Sequence, residues 1–163
     1  MIVVADSGPL HYLILIEQAE LLYRFYGQVV IPEAVLRELT AAKAPPPVRA
    51  WLSKPPSWFR VQPVPADELA LVTAELDPGE REAIALAQIL GADLLLIDEA
   101  IGRAEARRRS LRVTGTLGIL RAAAERGLIH VPEALARLRE TSFYVDEKLI
   151  RSIFGEWMPP ALE

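Results

Sequence analysis

Leu94-Leu95-Leu96-Ile97-Asp98-Glu99 decides how this chain is to be read. Four consecutive apolar residues lie between Asp93 and Asp98, a pattern that leaves no wet face. It predicts a short strand buried on both sides, as in parallel sheets covered by helices. Helical patterns adjoin it. Upstream, Ala83, Ile84, Ala87 and Leu90 recur on one helical face, after the turn Leu76-Asp77-Pro78-Gly79 and before Gly91. Downstream, residues 100–109 read as another helix.

The N-terminus repeats the arrangement. Residues 2–5 form an apolar run closed by Asp6-Ser7-Gly8-Pro9, where Ser7 can cap a helix and Pro9 fits its first turn. Leu10, Leu13 and Ile14, then Leu21, Leu22 and Phe25, keep helical spacing with a break near Glu17 and a stop at Gly27. Residues 28–31 read as the next strand, and Pro32 opens a helix through Val35, Leu36 and Leu39. The proline-rich stretch 41–65 predicts a short helix over 48–52 and a strand near 59–61, placed at a sheet edge because proline is tolerated there. Residues 112–114 make a last strand, followed by helices over 116–125, 132–140 and 145–154. Strands alternating with helices imply one parallel sheet with helices on both faces and the first strand in its centre. The expected organisation is a single domain over 1–163, its helices from about 132 completing the domain or forming a dimer surface.

Composition narrows the function. Of 163 residues, 52% are apolar and 25% charged, and the formal charge is −4. That suits a folded domain and gives no global basic signature of a passive nucleic-acid binder. With no cysteine, disulfides and zinc–thiolate sites are excluded. No basic leader and no run of about 20 apolar residues is present. The expectation is a soluble, cytoplasmic protein with no membrane partner.

The carboxylates carry the chemistry. If the strands before Asp6 and Asp98 are neighbours, the two side chains stand roughly 5 Å apart above the sheet. Like charges that close repel unless one takes a proton or a cation sits between them. A hard cation such as Mg²⁺ or Mn²⁺ suits oxygen ligands, while helix capping is the plainer role for an aspartate at a strand end. Glu38 is flanked by apolar positions in the third helix. Glu80 opens its helix, where an acid also favours the dipole, and Asp77 and Glu82 lie close by.

Arg103, Arg107, Arg108, Arg109 and Arg112 fall within ten residues, either to contact phosphates or to solvate a helix and pair with the acids of 67–82. Thr116 is an N-cap candidate that can also support a metal-bound water. His11 and His130 are the only histidines, too few for a histidine-ligated zinc site. A haloacid-type phosphatase needs an aspartate where Gly8 stands, and a receiver domain needs a lysine after a late strand, where none occurs.

The ordered segments 2–10, 30–39, 76–84, 94–99 and 113–116 resemble PIN-domain proteins, in particular a VapC-like branch of toxin ribonucleases. That resemblance implies a three-layer fold with a five-stranded parallel sheet in the order 3-2-1-4-5. It implies acidic site residues at Asp6, Glu38, Glu80 (where many relatives have aspartate) and Asp98, with Glu99 as an extra carboxylate. The expected activity is metal-dependent endoribonucleolytic hydrolysis, with Mg²⁺ or Mn²⁺ held by those four acids. Ser7, Glu99, Arg103, Arg107 and Thr116 are expected as support or phosphate contacts. RNA, a small antitoxin and a second copy of the chain are the expected partners. The alternative is a catalytically inactive PIN-like module that binds RNA or protein.

Overall fold

A computed structural model describes residues 1–160, so the last three residues of the domain expected over 1–163 lie outside it. The chain divides into two compact units, Met1–Thr116 and a second beginning at Leu117.

The first unit is built on a five-stranded sheet. Its strands are β1 (Val3–Ala5), β2 (Val29–Pro32), β3 (Phe59–Gln62), β4 (Leu94–Leu96) and β5 (Val113–Thr114). All neighbouring pairs are parallel, and the order is β3-β2-β1-β4-β5, as the sequence pattern and the resemblance led us to expect. Central strands have no wet face: Val3, Val4 and Ala5 are at most 1% exposed, as are Leu95 and Leu96. Burying each such Val or Leu contributes about 1.5–3 kcal/mol.

Seven helices of this unit connect the strands: α1 (Ser7–Leu15), α2 (Glu20–Tyr26), α3 (Glu33–Thr40), α4 (Pro46–Ser53), α5 (Ala66–Leu69), α6 (Pro78–Leu90) and α7 (Ala100–Arg108). The break between α1 and α2 falls at Glu17, which adopts φ 60°. α5 was not expected: its four residues lie in an acidic, proline-flanked stretch without helical periodicity. α6 contributes Ala83, Ile84, Ala85, Leu86 and Ala87 to the core, so small side chains let it lie close to the sheet. Its N-terminus is capped by Asp77, which accepts from the Glu80 amide at 2.9 Å, and its C-terminus by Gly91 in the left-handed region.

β3 forms one edge of the sheet, with Pro55 and Pro56 before it and Pro63 and Pro65 after it. Trp58 and Phe59 tuck inward at its start, against Trp51 of α4 at ring-centroid distances of 5.8 and 5.3 Å. β5, two residues long, forms the other edge.

α8 (Thr116–Glu125) leads into the second unit, which adds α9 (Val131–Arg139), α10 (Glu147–Phe154) and a 3₁₀ turn, Gly155–Trp157. Asp146 caps α10 by accepting from the Lys148 and Leu149 amides. Arg139 grips Glu147 with two bonds of 3.0 Å. Among the described residues, no helix is long and apolar enough to cross a membrane.

Candidate functional site

Parallel strands deliver their C-terminal ends to one side of a sheet, which is where ligands of such folds bind. β1 and β4 are neighbours, with Ala5 opposite Leu96, so Asp6 and Asp98 leave the sheet side by side. The Asp6 amide still donates to the Leu96 carbonyl at 2.8 Å, extending the ladder into the site.

A cavity of about 220 Å³ opens above these strand ends, and Asp6, Asp77, Glu80, Asp98 and Glu99 all line it. Ser7, Gly8, His11 and Tyr12 of the first loop and helix complete the wall, and no lysine or arginine does. Burial lowers the pKa of His11.

The Asp98 carboxylate accepts from the Thr116 amide at 2.7 Å and from its hydroxyl at 2.8 Å. Thr116, a cap candidate also expected to support the site, is a two-pronged donor to Asp98. Glu38 accepts from the Ser7 hydroxyl at 2.8 Å and the Gly79 amide at 3.1 Å, so α3 is tied to the first turns of α1 and α6. Glu82 lies outside the cavity, where it accepts from the Ala34 amide at 3.2 Å and from Arg37 at 3.4 Å. Of these two neighbouring glutamates, Glu80 lines the cavity.

Glycines make room for these carboxylates, a signal the sequence reading did not use. A Cβ on Gly115 would stand 2.5 Å from Asp98 Oδ1 and 3.3 Å from the Ile97 carbonyl oxygen, and one on Gly79 would collide with the Glu38 carboxylate.

The arginines, contiguous in sequence, separate in space. Arg103 lies beside Asp98, whose charge it favours. Arg109 is locked onto Glu105 at 2.8 Å, Gln88 at 3.0 Å and the Leu71 carbonyl at 2.7 Å. Arg107, Arg108 and Arg112 are exposed where α7 ends and β5 begins, roughly a helix length of 12 Å from the cavity.

A family profile described as DUF3368, PIN domain, matches residues 2–158, nearly the whole chain. The chain belongs to this PIN-domain family. No curated protein matches it significantly.

In this PIN domain the acids do not fit a divalent ion. Among the described residues, no group of three or more Asp, Glu, His or Cys side chains could hold a metal. The expected Mg²⁺ or Mn²⁺ at Asp6, Glu38, Glu80 and Asp98, and the metal-dependent endoribonuclease built on it, are therefore corrected. The oxygens are already committed: both of Asp98 to Thr116, and those of Glu38 to Ser7 and Gly79. A hard cation takes about six oxygens. Among the described residues, Asp6 Oδ1 is the buried side-chain oxygen without any partner.

Burial and mutual repulsion shift three of these acids towards the protonated form. Burial raises the pKa of Asp6 well above its ordinary value, and Glu38, Asp77 and Glu80 push it further. Burial also raises Asp98, against the opposing pull of Thr116 and Arg103. For Glu80, burial and then the charges of Asp77 and Glu99 raise the pKa from 4.5 to about 7.

The folded protein thus keeps a proton on Glu80 that the unfolded chain has already released between those two values. The Glu80 contribution to stability consequently falls as pH rises from 4.5 to about 7 and levels off above. Denaturant titrations across this range should find a loss on the order of 2 kcal/mol, below the full linkage value because the cavity is open to solvent. Glu80→Gln should flatten that slope; a variant as steep as the wild type would refute the assignment.

Proposed function

We propose that this PIN domain is a binding module whose acidic cavity receives a cationic side chain from a partner protein. The observation that carries the reading is Asp6 Oδ1, which is buried without a partner in a cavity lined by five acids and no cation. A buried carboxylate oxygen lacking a donor is costly, and an arginine or lysine side chain supplies both the donors and the charge. A phosphate brought to the same place would meet five carboxyl groups in the wall, with Arg103 outside it beside Asp98. Asp6, Glu80 and Asp98 form the receiving surface in this reading, Glu99 guards the mouth, and Ser7 with Glu38 shapes the wall. A small antitoxin with a basic tail is the class of partner that fits.

A second reading concerns the exposed end of α7. Arg107, Arg108 and Arg112 offer a phosphate-contacting surface away from the acids, through which RNA would associate. Assembly with a second copy belongs to the C-terminal unit, where Tyr144 and Leu149 are 85% and 48% exposed.

Calorimetric titration of the full chain with a hexa-arginine peptide and with a short oligoribonucleotide tests both. The peptide should bind, and Asp6→Asn should weaken it about tenfold. Arg107→Ala with Arg112→Ala should weaken only the RNA. Peptide binding that ignores Asp6→Asn would overturn the main reading.

A further inference from the structure

The acidic cavity continues beyond its own walls. Ser7, His11 and Asp77 line it and also line a larger cavity of about 720 Å³, so the two form one groove. Along that groove the chemistry changes. The large cavity is walled by Ala34, Leu39, Ala41, Ala44, Pro45 and Pro78, and the groove's cations, Arg37 and Lys43, are confined to it.

Arg37 is partly engaged by Glu82 at 3.4 Å. Lys43 is exposed and has no ion pair among the described residues. Glu38 also faces this space, but Ser7 and the Gly79 amide hold its carboxylate. One end of the groove therefore offers acids with an unsatisfied buried oxygen, and the other offers apolar wall with a free ammonium.

Resting on the cation-receiving function above, we infer that the partner's docking segment is bipolar. Its arginine or lysine fills the acidic cavity, while an apolar side chain and an adjacent carboxylate occupy the large cavity against Lys43. A segment with cations alone leaves the apolar wall wet and faces Lys43 with like charge. A polyamine has the same defect. The large cavity has room for several side chains, whereas the small one admits one headgroup and some water.

Selection of random twelve-residue peptides on the immobilised full chain tests this, with the winner's affinity measured afterwards on variants verified as folded by circular dichroism. Enriched peptides should carry a basic residue together with an apolar and an acidic one. Asp6→Asn should weaken the winner about tenfold, Lys43→Glu about fivefold and Ala41→Trp, which fills the large cavity, about tenfold. Exchanging the peptide's acid for lysine should restore binding to the Lys43→Glu variant.

The outcomes separate the two ideas. Winners that need Asp6 but ignore Lys43→Glu and Ala41→Trp, or that spermidine displaces at equal affinity, would overturn the bipolar segment and leave the cation-receiving cavity standing. Winners indifferent to Asp6→Asn would overturn the cavity's role itself.

Discussion

Asp6→Asn should melt higher than the wild type at pH 8, and its advantage should shrink as the pH is lowered towards 5. Asp6 is 4% exposed, and its Oδ1 has no partner. Burial raises its pKa, as do the neighbouring carboxylates. Ionising it in the folded state is therefore expensive, and the wild type loses stability as pH rises through the folded-state pKa. Asparagine has the same shape and cannot ionise. The expected gain at pH 8 is on the order of 2 kcal/mol, or about 4–8 °C in a chain of this size.

The same substitution should reduce capture of a cationic segment. A residue whose removal steadies the fold while weakening binding is retained for binding. Asp98→Asn should gain less, because both Asp98 oxygens already accept from Thr116. An Asp6→Asn protein that melts lower at pH 8, as followed by circular dichroism, would show that the carboxylate is satisfied in a way these contacts do not reveal.

Gly115→Ala should be the most damaging small substitution near the site. Its Cβ would press on Asp98 Oδ1 at 2.5 Å, the Ile97 carbonyl at 3.3 Å and Arg103 at 3.2 Å. The Asp98 carboxylate has little freedom to retreat, since Thr116 holds it from one side and Gly8 packs against the other. Overpacking of this kind costs about 2–3 kcal/mol. Gly79→Ala meets a carboxylate too, but one at the tip of the exposed Glu38 side chain, which can swing away into water. Denaturant midpoints should therefore rank Gly115→Ala well below Gly79→Ala. Equal losses would mean that the Asp98 side chain moves freely.

Much of the architecture was written in unbroken apolar runs. Residues 94–97 have no polar position to face water, and only a strand covered on both sides tolerates that. The central place of β1 followed from connections that need helices, while its pairing with β4 came from the family resemblance. Pairs such as Glu80 and Glu82 are a different matter. Both open the same helix, and what separates them is the Ala34 amide, a tertiary neighbour that no spacing reveals.

The metal expectation failed for the same reason. Strand ends place a Cα, while the side chain turns to whichever donor the neighbouring loops present, here Thr116 for Asp98 and Ser7 with Gly79 for Glu38. The arginine cluster misled in the opposite sense. Arg103, Arg107 and Arg108 lie on α7, which runs away from the site, and Arg109 and Arg112 follow its end, so of the five Arg103 is the one beside Asp98.

The proline-rich stretch that flanks β3 matters for how the protein behaves when crowded. An exposed sheet edge is a template on which another molecule can lay a strand. Here four residues are all β3 offers before proline interrupts on both sides, and β5 offers two. An incoming strand finds no register long enough to hold. What reads along the chain as a loose insertion acts as a guard against aggregation, at the edge of an otherwise adhesive sheet.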